Sequence, residues 1–410
     1  MKKILFLFFI TGFLYGQESG SPYTRFGLGF FNNSISVRAA GKAGTSTAFF
    51  DDNELSIINP ASSSKIQNTI FSSGLILETS SSKDDEASKS FNNINFNNSL
   101  LGIPIYKEKE VVLSLGFFAR SKIGYNIEKE VISNSILAKE TFFGTGGLSE
   151  FLLGLTYSPI SMLNFGFNFG YNFGEIRHAG SLKFDHSQYT DNEYTNSLYL
   201  KGSSFTVGAI YSFGQIFNLH SANIGFYFSP QANLNTKKER ISLFRTSSGG
   251  NLTDTLLTPD YTITLPMNYG IGLELGLTKK LILAIDYSFM NWQEYTVDGV
   301  NEGLKNSNRF ALSFEYLPEK DILSDYIDRL RVSAGFYYEQ TNLEIDNNRI
   351  NEFGITVGCG FPLSRNSLLN SALMYGNRGT VNNGLVKDSF IKLQLSLTLN
   401  ELWFVSTEDQ

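Results

Sequence analysis

Charge is scarce in this chain. Asp, Glu, Lys and Arg make up 18% of its 410 residues, where a typical soluble domain carries roughly 25%. A water-exposed protein of this length would cover itself with more Lys and Glu. The 33 basic residues are outnumbered by 39 acidic ones, and no basic stripe occurs, which argues against a nucleic-acid partner. Cysteine is nearly absent. Cys359 stands alone, so no internal disulfide forms. Of the three histidines, His178 and His186 share one expected loop and His220 lies in another, with no Ser-His-Asp order and no metal-ligand spacing. No catalytic residue, metal or cofactor is expected, and the chain does not read as an enzyme. After the N-terminus no stretch approaches the roughly 18 apolar residues of a membrane helix.

The N-terminus "MKKILFLFFITGFLYGQ" reads as a secretory signal: Lys2 and Lys3 are its positive end, Ile4 to Tyr15 its apolar run, and Gly16 a small residue before the expected cut. An exported chain without apolar helices crosses a membrane only with strands.

Strands are what the sequence has in plenty. In "LNFGFNFGYNFG" (163–174) every odd residue is Leu, Phe or Tyr and every even one Asn or Gly. Side chains alternate across a strand, so one face is aromatic and the other carries amides and bare backbone. The same pattern recurs in "NYGIGLELGL", "RVSAGFYYE" and "KLQLSLTLN". Such segments number roughly fourteen between Thr69 and the C-terminus, each near the 9 to 11 residues with which a tilted strand crosses a bilayer. Long polar connections such as "SSSKDDEASKS", "HAGSLKFDHSQYTDNEYTN" and "TKKERISLFRTSSGGNLTDTLLT" alternate with short ones such as "YKEKE", "SPIS", "LTKK" and "PLSRN". "YLPEKDILSDYIDRL" is long where a short turn is due. A soluble sandwich would put charge on its outer faces; Asn, Gly, Ser and Thr suit a lumen better. The expected fold is all-β, a transmembrane antiparallel β-barrel of about 14 strands spanning 69–404. Its place is the outer membrane, in contact with outer-membrane lipid, with both termini periplasmic and a tail at 405–410. In phase with Phe353, Ile355 and Val357, Cys359 belongs on the lipid face.

Fourteen tilted strands close at a backbone radius of roughly 14 Å, too wide for wall side chains to fill. Residues 17–68 are the expected plug, or hatch. There "RAAGKAGTSTAFFDDNELSIINPAS" resembles the hatch of the FadL/TodX family of outer-membrane hydrophobic-compound transporters, with Gly41 and Gly44, the acidic pair Asp51 and Asp52, and Asn59, Pro60 and Ala61 in the family's order. "LPMNYGIGLELGLTKKLILAIDYSFMNWQEY" is similar to the family's late-barrel hairpin, and "LSLTLNELWF" to a closing strand. By itself, Pro60 biases Asn59 toward extended backbone, and Gly41 and Gly44 let the chain pass close to a wall; taken alone "NPA" reads as a turn, and its place just before the first strand favours the hatch.

The resemblance implies a transporter for hydrophobic or amphipathic small molecules, such as a long-chain fatty acid or a hydrocarbon-like compound. The ligand is captured outside, held above the hatch and released sideways near the third strand, where Gly116 and Gly124 are the expected kink. Barrel-insertion machinery is the implied partner in biogenesis. "GTGG" (144–147) lacks the Lys of a phosphate loop and reads as the start of a strand. Charges expected in the lumen, among them Glu274, Asp286, Glu315, Arg331, Glu339 and Lys392, either orient a ligand's head group or pair with one another and the hatch. A non-transporting barrel that docks protein partners at its extracellular loops is the alternative. An apolar pocket above the hatch favours transport; polar packing without a pocket favours docking.

Overall fold

The computed structural model describes residues 20–32, 36–133, 136–185, 191–245, 250–317, 324–364 and 366–401. The signal, the C-terminal tail with "WF", His186 and the middle of "YLPEKDILSDYIDRL" lie outside them.

The wall is a closed antiparallel barrel of fourteen strands. Strand β1 (Thr69–Lys83) pairs with β2 (Ser88–Tyr106) and with the last strand, β14 (Lys387–Glu401), which closes the ring. β3 runs in two pieces, Val111–Ala119 and Ser121–Ser133, followed by β4 (Ile136–Ile160), β5 (Leu163–Phe184) and β6 (Asn192–Ile216). β7 is again two pieces, Leu219–Ser229 and Ala232–Arg245, as is β8, Asn251–Leu265 and Asn268–Gly276. β9 (Leu281–Met290), β10 (Ser307–Tyr316), β11 (Arg331–Ile345), β12 (Asn348–Ser364) and β13 (Ser367–Gly379) complete it.

The two faces divide as alternation requires. On β5, Phe165 and Phe167 are 44% and 43% exposed, while Asn164 and Asn172 are fully buried in the lumen. The apolar outer run ends at Phe173. Glu175 and Arg177 follow on the same outer face, ion-paired at 2.8 Å. Lipid contact on β5 is thus Leu163–Phe173, and the strand continues well beyond the membrane. Cys359 is half-buried in a ladder that also turns Ile355 and Val357 outward, the face expected for it.

Several expected loops are strands. In "SSSKDDEASKS" only Asp84–Ala87 turns, and "TKKERISLFRTSSGGNLTDTLLT" is mostly a two-stranded ribbon, Ala232–Arg245 with Asn251–Leu265. Both His178 and His220 lie in strands, not loops. Polar residues hid these extensions, because a strand that rises past the lipid needs no apolar outer face. "GTGG" lies inside β4 and does not begin a strand.

The chain ahead of β1, the expected hatch, packs against the inner face of the ring, and its ordered pieces are a strand at Phe30–Phe31, helix α1 (Val37–Gly41) and two 3-10 turns, Pro22–Arg25 and Pro60–Lys65. Above it an apolar cap brings Tyr23 and Leu28 against Ile123, Ile176, Leu234, Trp292 and Leu343 of the wall and its loops. Below, Leu55, Ile57 and Ile66 pack on Leu100, Val112 and Leu152.

Candidate functional site

Each hatch piece carries its cap beside it. The Ser36 hydroxyl accepts from the Ala39 amide at 3.1 Å and starts α1. Asn59 accepts from the Ala61 amide at 3.1 Å and starts the turn at Pro60, its backbone extended at φ −104°, ψ 111°. Its side-chain nitrogen donates to the Thr47 carbonyl at 2.6 Å, tying two ends of the hatch together. On the wall side, a Cβ on Gly166 or Gly208 would collide with Pro60 or Asn59, and one on Gly41 would come within 2.6 Å of the Gly358 Cα. Gly44, at φ +85°, donates to the Ala39 carbonyl at 2.7 Å and ends the helix.

Charge fixes the hatch as firmly as shape. Arg38 on α1 donates through Nε and Nη2 to Glu315 on β10 at 2.7 and 2.9 Å, and also pairs with Asp51. Arg331 on β11 lies 3.7 Å from Asp51, 3.5 Å from Glu54 and 3.7 Å from Glu315. Buried charges of this kind are tolerable only in such company. Asp286 accepts from the Ser46 and Thr47 amides at 2.8 and 2.9 Å. Glu274 accepts from Asn223 at 3.1 Å, and Lys392 lies 3.6 Å from Glu78. Of the six lumenal charges singled out, Arg331, Asp286 and Glu315 hold the hatch; Glu274 and Lys392 are engaged with the wall, as is Glu339, 2.9 Å from Arg309. The acidic pair divides: Asp51 joins the buried cluster, whereas Asp52 accepts from Asn53 at 2.6 Å.

The break in the third strand falls at Arg120, not at the glycines expected for it. Gly116 sits in a regular ladder opposite Leu100 and Leu152, and Gly124 pairs with Thr145 while its backbone exchanges bonds with the Thr24 hydroxyl. At Arg120 the inward side switches from even residues (Val112, Phe118) to odd ones (Ile123, Tyr125). One extra residue makes that switch, and the facing strand absorbs it at Gly146 and Gly147, with φ +107° and +149°. Arg120 turns inward to pair with Glu150, and it also donates to Asn172 at 3.0 Å. Arg120 and Glu150 were not singled out in the sequence. Apolar residues stay on odd numbers through "VVLSLGFFA" (Val111, Leu113, Leu115, Phe117) and "KIGYNI" (Ile123, Tyr125, Ile127), so the sequence carries no local signal of the switch.

This crease opens the wall. The upper half of β2, Ser88–Asn97, forms no ladder with Ser121–Ser133 of β3 among the described residues. Hatch residues Phe30 and Phe31 pair with Lys122 and Ser121 there. Side chains bridge the seam, with Lys122 Nζ donating to Asn95 at 2.9 Å and Lys89 3.6 Å from Glu128. Behind it lies a cavity of about 210 Å³, lined by apolar Phe30, Phe96, Met290 and Trp292 together with charged Glu78, Lys122 and Lys392. A second cavity of about 130 Å³ shares Phe31, Asn32, Met290 and Arg309 with it.

The comparisons agree with this architecture. The family model described as BamG matches residues 1–408, and the chain belongs to the BamG family. No curated protein matches it. Among solved structures, the CymD monoaromatic hydrocarbon channel is 13% identical, with 92% of this chain and 100% of that one covered at a TM-score of 0.63. The toluene transporter TodX of P. putida is 13% identical over 90% and 98% at 0.63, and a Pseudomonas aeruginosa FadL homologue 12% over 90% and 99% at 0.63. At such identities the likeness is one of fold, an outer-membrane barrel of this build, and the sequence resemblance to the FadL/TodX group holds at that level.

Proposed function

Starting from a BamG-family chain folded as a plugged barrel, we propose that it takes up an amphipathic molecule through the side of its wall. The observation that carries this is the seam between Ser88–Asn97 and Ser121–Ser133, with a cavity directly behind it. The cavity's mixed lining suits an apolar chain with a polar or charged head better than a pure hydrocarbon. Glu78, Lys122 and Lys392 face the head, while Phe96, Met290 and Trp292 take the chain. In this reading the hatch residues Gly41, Gly44, Asn59, Pro60 and Ala61 let the plug shift, Asp51 restrains it, and Asp52 lies at its margin. Solved structures of this fold include monoaromatic hydrocarbon channels, and the charged residues of this cavity add a place for a head group, so a single-chain amphiphile is the natural first probe.

Trp292 lines the cavity, so a brominated palmitate should quench its fluorescence in a Trp403→Phe background. Asn95→Phe, which obstructs the seam without adding a second tryptophan, should weaken the quenching at least tenfold. Quenching that is absent, or that ignores the obstruction, would sink lateral uptake.

A second reading is favoured by the long-strand end. β4 and β6 each run 25 residues, more than twice what a bilayer needs, and the ribbon of β7 and β8 exposes Leu252, Leu256 and Leu257 beyond the membrane. Surface of that kind suits docking to protein partners. The mass of the protein in native membrane extracts distinguishes the two: a stable larger complex supports docking, a monomer removes it.

A further inference from the structure

The ribbon above the barrel has one finished side and one open side. Its first strand, Ala232–Arg245, is paired on both edges, with Asn251–Leu265 and with residues Asn192–Lys201 of β6. Its second strand is paired on one edge only, apart from a single partner at its base, Ile263 opposite Val297. From Asn251 to Asp260 the other edge meets no strand among the described residues, and Leu252 through Asp260 are all exposed.

Natural edges are usually blunted by Lys, Pro, bulges or short length, because unpaired N–H and C=O groups recruit other strands. Here Pro259 and a bulge guard only the base, where the register shifts between Thr236 and Lys238. The segment "NLTDTLL" (251–257) contains no Lys and no Pro. Leu252, Asp254 and Leu256 share one face, opposite Phe244, Ser242 and Arg240 on the paired strand. Leu252 and Leu256 are 62% and 60% exposed. Arg240, opposite Leu256 on that face, lies 5.2 Å over the Tyr194 ring, and Asp254 makes no ion pair among the described residues.

We infer that residues 251–257 receive an extended segment of another protein, added to the ribbon as its next strand. Main-chain hydrogen bonds supply the attachment, and alternate side chains supply the choice of partner. The incoming strand carries a basic residue opposite Asp254, flanked two positions away on each side by apolar residues facing Leu252 and Leu256. A second copy of this chain fits poorly. Antiparallel self-pairing about Asp254 matches Leu252 with Leu256 but sets two carboxylates opposite one another, which is destabilising. Any shift that parts the carboxylates also breaks the Leu pairing. The inference rests on the docking reading and gives it a place and a chemistry.

The full-length protein in nanodiscs is titrated with the capped peptide Thr-Val-Thr-Lys-Thr-Val-Thr, whose central Lys meets Asp254 in antiparallel pairing. The peptide is expected to slow amide exchange across 251–257. Asp254→Lys, at an exposed position, is expected to weaken it at least tenfold, and a peptide with Glu at its centre to recover the loss. Binding indifferent to the charge swap, or self-association that protects the same segment without peptide, would overturn the inference. In native membranes, a larger complex that survives Asp254→Lys unchanged overturns the edge assignment and leaves docking standing; a monomer removes both.

Discussion

Arg38 of the hatch and Glu315 of the wall face each other through two parallel hydrogen bonds of 2.7 and 2.9 Å, with both side chains buried. The pair joins residues 277 apart in sequence and holds the plug at its helix. Replacing Arg38 with Met leaves the Glu315 carboxylate with more distant cations, Lys42 at 3.8 Å and Arg331 at 3.7 Å. A loss of about 3 to 5 kcal/mol is expected, the range for removing one partner of a buried pair. Arg38→Met with Glu315→Gln should cost less than the single change, since no charge is then stranded. Reversible unfolding from bilayers measures both.

The two faces of β5 should respond oppositely to charge. Phe167→Arg places a cation in lipid and should cost about 2 to 4 kcal/mol near the midplane. Asn168→Arg enters the lumen, where Asn168 now donates to the Ile57 carbonyl at 3.1 Å, and should act through the hatch, not through membrane insertion. Equal losses of bilayer folding stability in both variants would contradict the assigned faces.

Cys359 should be reached from the membrane and not from water. A lipid-soluble maleimide is expected to label it in intact outer membranes, whereas a charged, impermeant one is not. Fast reaction with the impermeant reagent would place the thiol elsewhere.

Intact protein should conduct ions poorly, because a hatch with buried caps and ion pairs fills a lumen otherwise wide enough for water. Deleting residues 18–68 should open a large pore in single-channel recordings. Asn59→Ala removes the tie to Thr47 and the cap on Ala61, and should impair palmitate uptake more than it impairs barrel folding.

The cap above the hatch should weaken in acid. The His178 ring, beyond the lipid boundary, accepts or donates at 2.7 Å with the Tyr125 hydroxyl. Burial, then the nearby Arg25 and Lys238, push its pKa below the usual 6.5. The folded state therefore holds the neutral ring where the unfolded chain already binds a proton. The contribution is fully present above pH 6.5 and is lost as pH falls below it, at no more than about 1.4 kcal/mol per pH unit for one group. His178→Gln should flatten that slope in denaturation measured from pH 7.5 to 5.

What the sequence determined alone is what a strand decides locally. Alternation at a period of two assigns faces without knowledge of partners, so Phe165 and Phe167 point out and Asn164 and Asn172 point in. Lipid outside and polar residues inside reinforce the same pattern in strand after strand, which made the barrel legible. The extended backbone that Pro60 imposes on Asn59 was legible too, whereas the cap that Asn59 places on Ala61 was not read there. The tertiary structure decided the rest. Glu274, Asp286, Arg331 and Lys392 are visibly lumenal in sequence, but their partners come from chain segments dozens to hundreds of residues away, so which of them grips the hatch could not be read there. The kink moved from Gly116 and Gly124 to Arg120, because a bulge is a relation between two strands and its accommodating glycines lie on the other one. The ribbon and its open edge stayed hidden for a similar reason. Beyond the bilayer no solvent boundary forces alternation, and only pairing with β6 marks those residues as strand.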